Sequence, residues 1–212
     1  MLPALPQLFA GILGIALNYV ATFYMPSTRL LRDPLETLTT AIPLVLAGHI
    51  IILTFMLSVV KRCSFKTTVI SIGNALLVTA VGTVVLHGFI VLFGASLVEK
   101  FNHTLAFAAY LAVLALIPSF TALSPAGTSV WTKCYLQHSP TTGSEIYAYS
   151  QTICALSGAW IGAIVLPLDW ERDWQAWPIS CVISTYLGHA VGVATAFGWS
   201  SFKHILNKRK SE

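Results

Sequence analysis

Six stretches of this chain are apolar for long enough to cross a bilayer, and no other feature narrows its fold so far. A spanning helix needs about 20 predominantly apolar residues to cover about 30 Å of hydrocarbon. Runs of that kind occur at residues 7–24, 37–60, 67–93, 105–123, 146–166 and 181–199. Within the bilayer every backbone N–H and C=O has to be paired inside the protein, which makes runs of this length helical. The expected fold is an all-α membrane protein with six transmembrane helices in one bundle. Only 9% of the 212 residues are charged, against about 25% in soluble domains. No polar stretch is long enough to fold separately, so residues 1–212 are expected to form a single polytopic transmembrane domain.

Six spans put both termini on one side. That side then holds Lys61, Arg62, Lys66, Lys133, Lys203, Lys208, Arg209 and Lys210, while the other holds Arg29, Arg32, Lys100 and Arg172. Basic residues accumulate in cytosolic loops, so both termini are expected to be cytosolic. Asp33, Glu36, Glu99, Asp169, Glu171 and Asp173 fall on the opposite side. Met1 is followed by no basic stretch, so the first span is expected to serve as its own signal. The net charge of +4 sits in these flanks and never interleaves with exposed aromatics, which excludes a nucleic-acid surface. The C-terminal Lys208-Arg209-Lys210-Ser211-Glu212 resembles the cytosolic dilysine signal that returns membrane proteins to the endoplasmic reticulum. Asn102-His103-Thr104 is a glycosylation sequon on the luminal side, too near a span for a glycan to be expected.

The densest polar and aromatic string is Asp169-Trp170-Glu171-Arg172-Asp173-Trp174-Gln175-Ala176-Trp177-Pro178, between the fifth and sixth spans. If it is helical, Trp170, Trp174 and Trp177 fall on one face. Tryptophan favours the water–lipid boundary. The string therefore reads as a short interfacial amphipathic segment, with Asp169 as N-cap and Pro178 as its stop.

Chemistry is sparse. Intramembrane polar residues are functional candidates by default, and here they are Asn18, His49, Asn74, His87 and His189. No carboxylate lies deep in a span, and no two histidines share a helix at metal-binding spacing. The histidines are therefore expected to bond between helices. Cys63, Cys134, Cys154 and Cys181 have no metal-ligand spacing and are expected to be free thiols. The carboxylates Asp169, Glu171 and Asp173 are expected to be solvated, with Arg172 pairing to one of them. Nucleophile-elbow and phosphate-loop motifs are absent, so neither a catalytic residue nor a cofactor or metal is expected. The 124–145 connection is expected to be a cytosolic loop with Trp131 and Tyr135 dipping into the interface. In-span prolines 43 and 118 do not occupy matching places, so no transporter-like repeat is visible.

Helix packing gives a clearer signal. Gly158 and Gly162 form one GxxxG and Gly188 and Gly192 another. Small residues four apart let two helix backbones approach closely, either within the chain or against a partner's helix.

The stretch Gly158-Ala159-Trp160 through Leu166-Pro167-Leu168-Asp169-Trp170-Glu171-Arg172-Asp173-Trp174-Gln175-Ala176-Trp177-Pro178-Ile179 resembles the signature of the PIG-F family, the class F proteins of glycosylphosphatidylinositol (GPI) anchor biosynthesis. Leu92-Phe93-Gly94-Ala95-Ser96-Leu97 is a weaker match, with Ser96 where the family commonly has proline. Asp173 also stands where proline is frequent. The resemblance implies a multi-pass protein of the endoplasmic reticulum membrane. It implies a non-catalytic subunit that binds and stabilises the transferases adding ethanolamine phosphate to mannoses of the GPI precursor. In that setting Trp170, Trp174 and Trp177 would fix the depth of the loop. Asp169 and Arg172, with Gln175 and Pro178 beside them, would hold its shape or touch the catalytic subunit. Lys208 and Lys210 would serve retrieval. The alternative is a lipid-binding subunit that presents phosphatidylethanolamine or the GPI precursor through a groove lined by His87, His189 and the tryptophans.

Overall fold

The computed structural model describes residues 5–168 and 170–211, with side chains up to Leu206. Among the described residues seven helices follow one another: α1 (Leu5–Phe23), α2 (Pro34–Phe55), α3 (Phe65–Leu92), α4 (Phe101–Leu123), α5 (Thr128–Tyr135), α6 (Gly143–Ile164) and α7 (Ile179–Ser211). A π-helical turn, Met56–Val60, extends α2, and a 3-10 turn, Asp173–Gln175, lies between α6 and α7. No strand occurs among the described residues.

Local signals set the starts of these helices. The Asp33 side chain accepts the Glu36 N–H at 2.9 Å and Pro34 opens α2, because the first N–H groups of a helix lack internal partners and proline gives none up there. Ser64 caps α3 by accepting the Thr67 N–H. At α6, Thr142 and Glu145 form a reciprocal capping box.

Five of the helical segments are long and apolar enough to cross a membrane: Leu5–Phe23, Pro34–Val60, Phe65–Leu92, Phe101–Leu123 and Ile179–Leu206. These agree with five of the six runs read from sequence. The remaining run is α6. It is 22 residues long, but Ser144, Glu145, Ser150, Gln151 and Thr152 dilute its first half. Ser144, Glu145 and Thr152 find partners inside the protein, and Ser150 and Gln151 are buried there. Thr152 Oγ1 donates to the Ala115 carbonyl at 2.7 Å and meets Ser119 Oγ at 2.9 Å.

The bundle is built around α4, whose most apolar window is 83% buried, and α3 is its outermost long helix, with 11% of the equivalent window buried. Tyr110, Phe107, Leu114 and Ile117 of α4 are fully buried, and Leu38 and Val45 of α2 and Val182 of α7 belong to the same core.

The 124–145 connection is more ordered than a loop with two dipping aromatics. Its central part is α5, docked on α4 and α6. Trp131 packs on Phe120 with ring centroids 4.7 Å apart, and the Tyr135 hydroxyl meets Ser119 Oγ at 2.5 Å and Thr152 Oγ1 at 3.1 Å. Lys133 pairs with Glu145 at 3.2 Å. Burial works to raise the Glu145 carboxyl, but the Thr141 N–H, the Lys133 ammonium and the Thr141 hydroxyl outweigh it and hold the group at about 2. Nearby, the Lys61 ammonium donates to the carbonyls of Thr121, Ala122 and Ser124. A cation thus covers the negative end of α4, and burial pushes Lys61 down to about 8.

Candidate functional site: a glycine seam leading to a tryptophan loop

Helices α6 and α7 run antiparallel and meet backbone to backbone. A Cβ added at Gly158 would lie 2.2 Å from the Ser184 carbonyl oxygen, and one at Gly188 would lie 2.2 Å from that of Cys154. At Gly162 the added atom would come within 2.7 Å of Cys181 Cα, and at Gly192 within 2.8 Å of Gln151 Cα. Positions rise along one helix as they fall along the other, which defines the antiparallel pairing. All four glycines face the chain's own backbone, so their close-approach surface is filled from within.

The seam delivers the chain to the loop between α6 and α7. The α-helical form that would put the three tryptophans on one face of the interfacial segment does not occur among the described residues. Gln175 organises this segment instead. Its amide Nε2 donates to the carbonyls of Val165 at 2.7 Å and Leu168 at 2.8 Å, while its Oε1 accepts the Arg172 N–H at 3.0 Å. These bonds cap the unsatisfied carbonyl end of α6 and hold the segment as a 3-10 turn. Glu171, at φ 48°, breaks helical continuity just before it.

The three tryptophans accordingly separate. Trp177 turns inward: its Nε1 donates to Thr104 Oγ1 at 3.1 Å, and its ring meets Phe107 edge-on at 5.6 Å. Trp174 is half-buried against the core, and Trp170 is 54% exposed, touching Trp174 edge-on at 5.8 Å. Arg172 and Asp173 are exposed. Arg172 forms no ion pair with another described residue; the ion pair among the described residues is Lys133–Glu145, at the opposite end of α6. Pro178 does not stop a helix within the loop. It stands immediately before α7, where its carbonyl accepts the Val182 N–H at 3.0 Å. Asp169 and the side chains of Lys208 and Lys210 lie outside the described residues.

Sequence reasoning missed one constellation. His49 of α2 and His189 of α7 are 140 positions apart, yet their rings meet edge-on at 5.9 Å in the interior. His49 Nε2 is 3.0 Å from Asn18 Oδ1, the expected interhelical bond. Both nitrogens of His189 lack a hydrogen-bond partner, contrary to the same expectation. Gly14 keeps the space open: a Cβ there would be 3.1 Å from His49 Cε1. A cavity of about 20 Å³ lies against both rings, Gln7 and Gln151, room for about one water molecule. His87 is elsewhere, edge-on to Phe101 at 4.9 Å. His87, His189 and the tryptophans therefore do not share a groove. No three His, Cys, Asp or Glu groups converge among the described residues.

Apolar spans, an ordered tryptophan loop and a glycine-packed helix pair define a multi-pass helical membrane protein. The sequence description of the GPI biosynthesis protein family Pig-F matches residues 15–197. The chain belongs to this family. It is 29% identical over 204 residues to the glycosylphosphatidylinositol anchor biosynthesis protein 11 of Yarrowia lipolytica, covering 96% of this chain and 89% of that protein. It is 36% identical over 114 residues to the mouse protein named GPI ethanolamine phosphate transferase, stabilizing subunit, covering 54% of this chain and 52% of the relative. The human protein of that name is 35% identical over 113 residues, covering 53% and 51%. The match thus spans about half the length of the two mammalian relatives. No solved structure matches.

Proposed function

We propose that this chain is a non-catalytic subunit that binds and stabilises one or more GPI ethanolamine phosphate transferases in the endoplasmic reticulum membrane. The observation that carries the reading is family membership across residues 15–197, together with the stabilizing-subunit name of its mouse and human relatives. We read α6 as the sixth span. The span begins after Glu145, at Ile146. At about 1.5 Å per residue residues 146–166 are long enough, and the side chains of Ser150, Gln151 and Thr152 turn inward. Both termini then face the cytosol, where Lys208 and Lys210 can act in retrieval, and the tryptophan loop faces the lumen among lipid headgroups. Asp169 and Arg172 are the loop residues we assign to contact with the catalytic subunit. Lipid presentation through a groove of His87, His189 and the tryptophans is the weaker reading, because those residues do not share a groove and the cavity beside His189 is close to the volume of one water.

The test is capture of the tagged full chain from mild-detergent microsomes, followed by mass spectrometry. Recovery of a large ethanolamine phosphate transferase in roughly equal amount is the expected result. Arg172→Ala is expected to lower the level of that partner while leaving the chain itself folded. Recovery of the chain alone, from membranes in which the transferase is intact, would overturn the reading.

A further inference from the structure

Helix α3 turns its small and hydroxyl side chains inward and leaves a carboxamide facing out. Its buried residues Thr68, Ser71, Ala75 and Thr79 form a single face, and α4 is the helix it packs against most. The opposite face carries Gly73, Asn74, Leu77, Val81, Val84 and Gly88, spaced as one helical stripe, and all of them are exposed. Asn74 stands nine residues beyond Phe65, the first residue of α3. That is about 14 Å along the axis at 1.5 Å per residue, a depth within the hydrocarbon.

Lipid tails offer a carboxamide neither donor nor acceptor, whereas an asparagine side chain has two donors and an acceptor to satisfy. Hydroxyls in a span escape this problem by bonding to their own helix, as Thr83 Oγ1 does to the Thr79 carbonyl at 2.9 Å. Asn74 makes no such bond with any described residue. The carboxamides of Asn18 and Gln151 are buried inside the bundle; that of Asn74 is turned away from it. Beside it the backbone is bare, since a Cβ added at Gly73 would meet nothing within 4 Å, and the same holds at Gly88, about 21 Å further along the helix from Asn74. Whatever covers this face has to come close to the helix and supply a hydrogen-bonding group at the depth of Asn74. A membrane helix does both.

We propose that the outer face of α3, centred on Asn74, receives a transmembrane helix of the catalytic transferase subunit, whose side chain or backbone carbonyl bonds the Asn74 carboxamide. This rests on the accessory-subunit reading above. The four glycines of α6 and α7 are filled by the chain itself; what singles out α3 is the carboxamide of Asn74, unpaired among the described residues, beside its bare Gly73.

The test places a photo-crosslinking amino acid at Leu77 of the full chain in microsomes that contain the transferase, with Ile161 on α6 as the control position. An adduct with the transferase from Leu77 and none from Ile161 is expected. Asn74→Leu should reduce co-purified transferase about five- to tenfold, Asn74→Gln should restore it, and Gly73→Phe should reduce it by bulk alone. Thermal midpoints of the purified variants should match that of the unsubstituted chain. Should Asn74→Leu impair folding, the Leu77 adduct decides. An adduct between two copies of this chain, or wild-type recovery of transferase with both Asn74→Leu and Gly73→Phe, would remove α3 as the docking face and leave the accessory role standing. Failure of the unsubstituted chain to capture any transferase would remove both.

Discussion

Helices α6 and α3 solve the same problem in opposite ways. Each has to satisfy polar groups in an apolar setting, with 22 residues in α6 and 28 in α3. In α6, Thr152 is taken up by α4 and α5, Glu145 by Lys133 of α5 and its own cap, and Ser144 by Gln7 of α1. Its glycines bring α7 to backbone contact. In α3 the hydroxyls return to their own helix or face α4, while Asn74 and two glycines remain outside. The difference separates glycines that hold the fold from glycines that leave a surface. Their sequences look alike; only the neighbour of the missing Cβ tells them apart.

The comparison breaks most sharply with leucine at paired positions. Gly158→Leu drives a side chain into the Ser184 carbonyl, where even a Cβ would be 2.2 Å away, and should cost about 3 kcal/mol or more, read as loss of the monodisperse species in detergent. Gly73→Leu meets nothing and should stay within about 0.5 kcal/mol of the parent in the isolated chain. Equal losses at both sites would show that α3 packs against something in its own chain.

An intermediate effect belongs to the start of α6. Glu145 is held at about 2 in the folded protein, below the ordinary value of 4.5. A group whose folded value is depressed contributes stability above its unfolded value, and loses that contribution as pH falls toward the folded one. Thermal midpoints should therefore decline between about pH 4.5 and pH 2, in part because of Glu145, and Glu145→Gln should flatten that part of the profile. At neutral pH the same variant should cost about 2 kcal/mol. The start of α3, capped by the Ser64 hydroxyl, has no such acid sensitivity. A smaller effect is expected at Trp177→Phe, which keeps the ring against Phe107 but removes the bond to Thr104. It should lower stability by about 1 kcal/mol, measured by thermal denaturation with intrinsic fluorescence.

How much was legible follows from how local each determinant is. Five apolar runs became helices long and apolar enough to cross a membrane, because continuous hydrophobicity is written along the chain. The glycine spacing in α6 and α7 was equally visible, but not that each glycine faces the other helix of the pair. The spacing of the tryptophan string allowed an α-helix with the three rings on one face. Its fold is instead fixed by Gln175, whose side chain reaches the Val165 carbonyl ten residues back, a contact that leaves no periodic trace. His49 and His189 carry no shared local spacing, and only the closure of α2 against α7 brings them together. The docking of α5 depended likewise on the hydroxyls of Ser119 and Thr152, distant in sequence from Tyr135.

The inward polar face of α6 bears on how the protein is made. A segment that holds Glu145, Ser150, Gln151 and Thr152 partitions poorly into lipid by itself, since each polar group carries a transfer cost until it is paired. The hydroxyl partners on α4 precede it in synthesis, but the α7 backbone that fills its glycine face comes later. With α6 as the proposed sixth span, its glycine face stays open until α7 is made, so the two are expected to enter the bilayer stably as a helical hairpin.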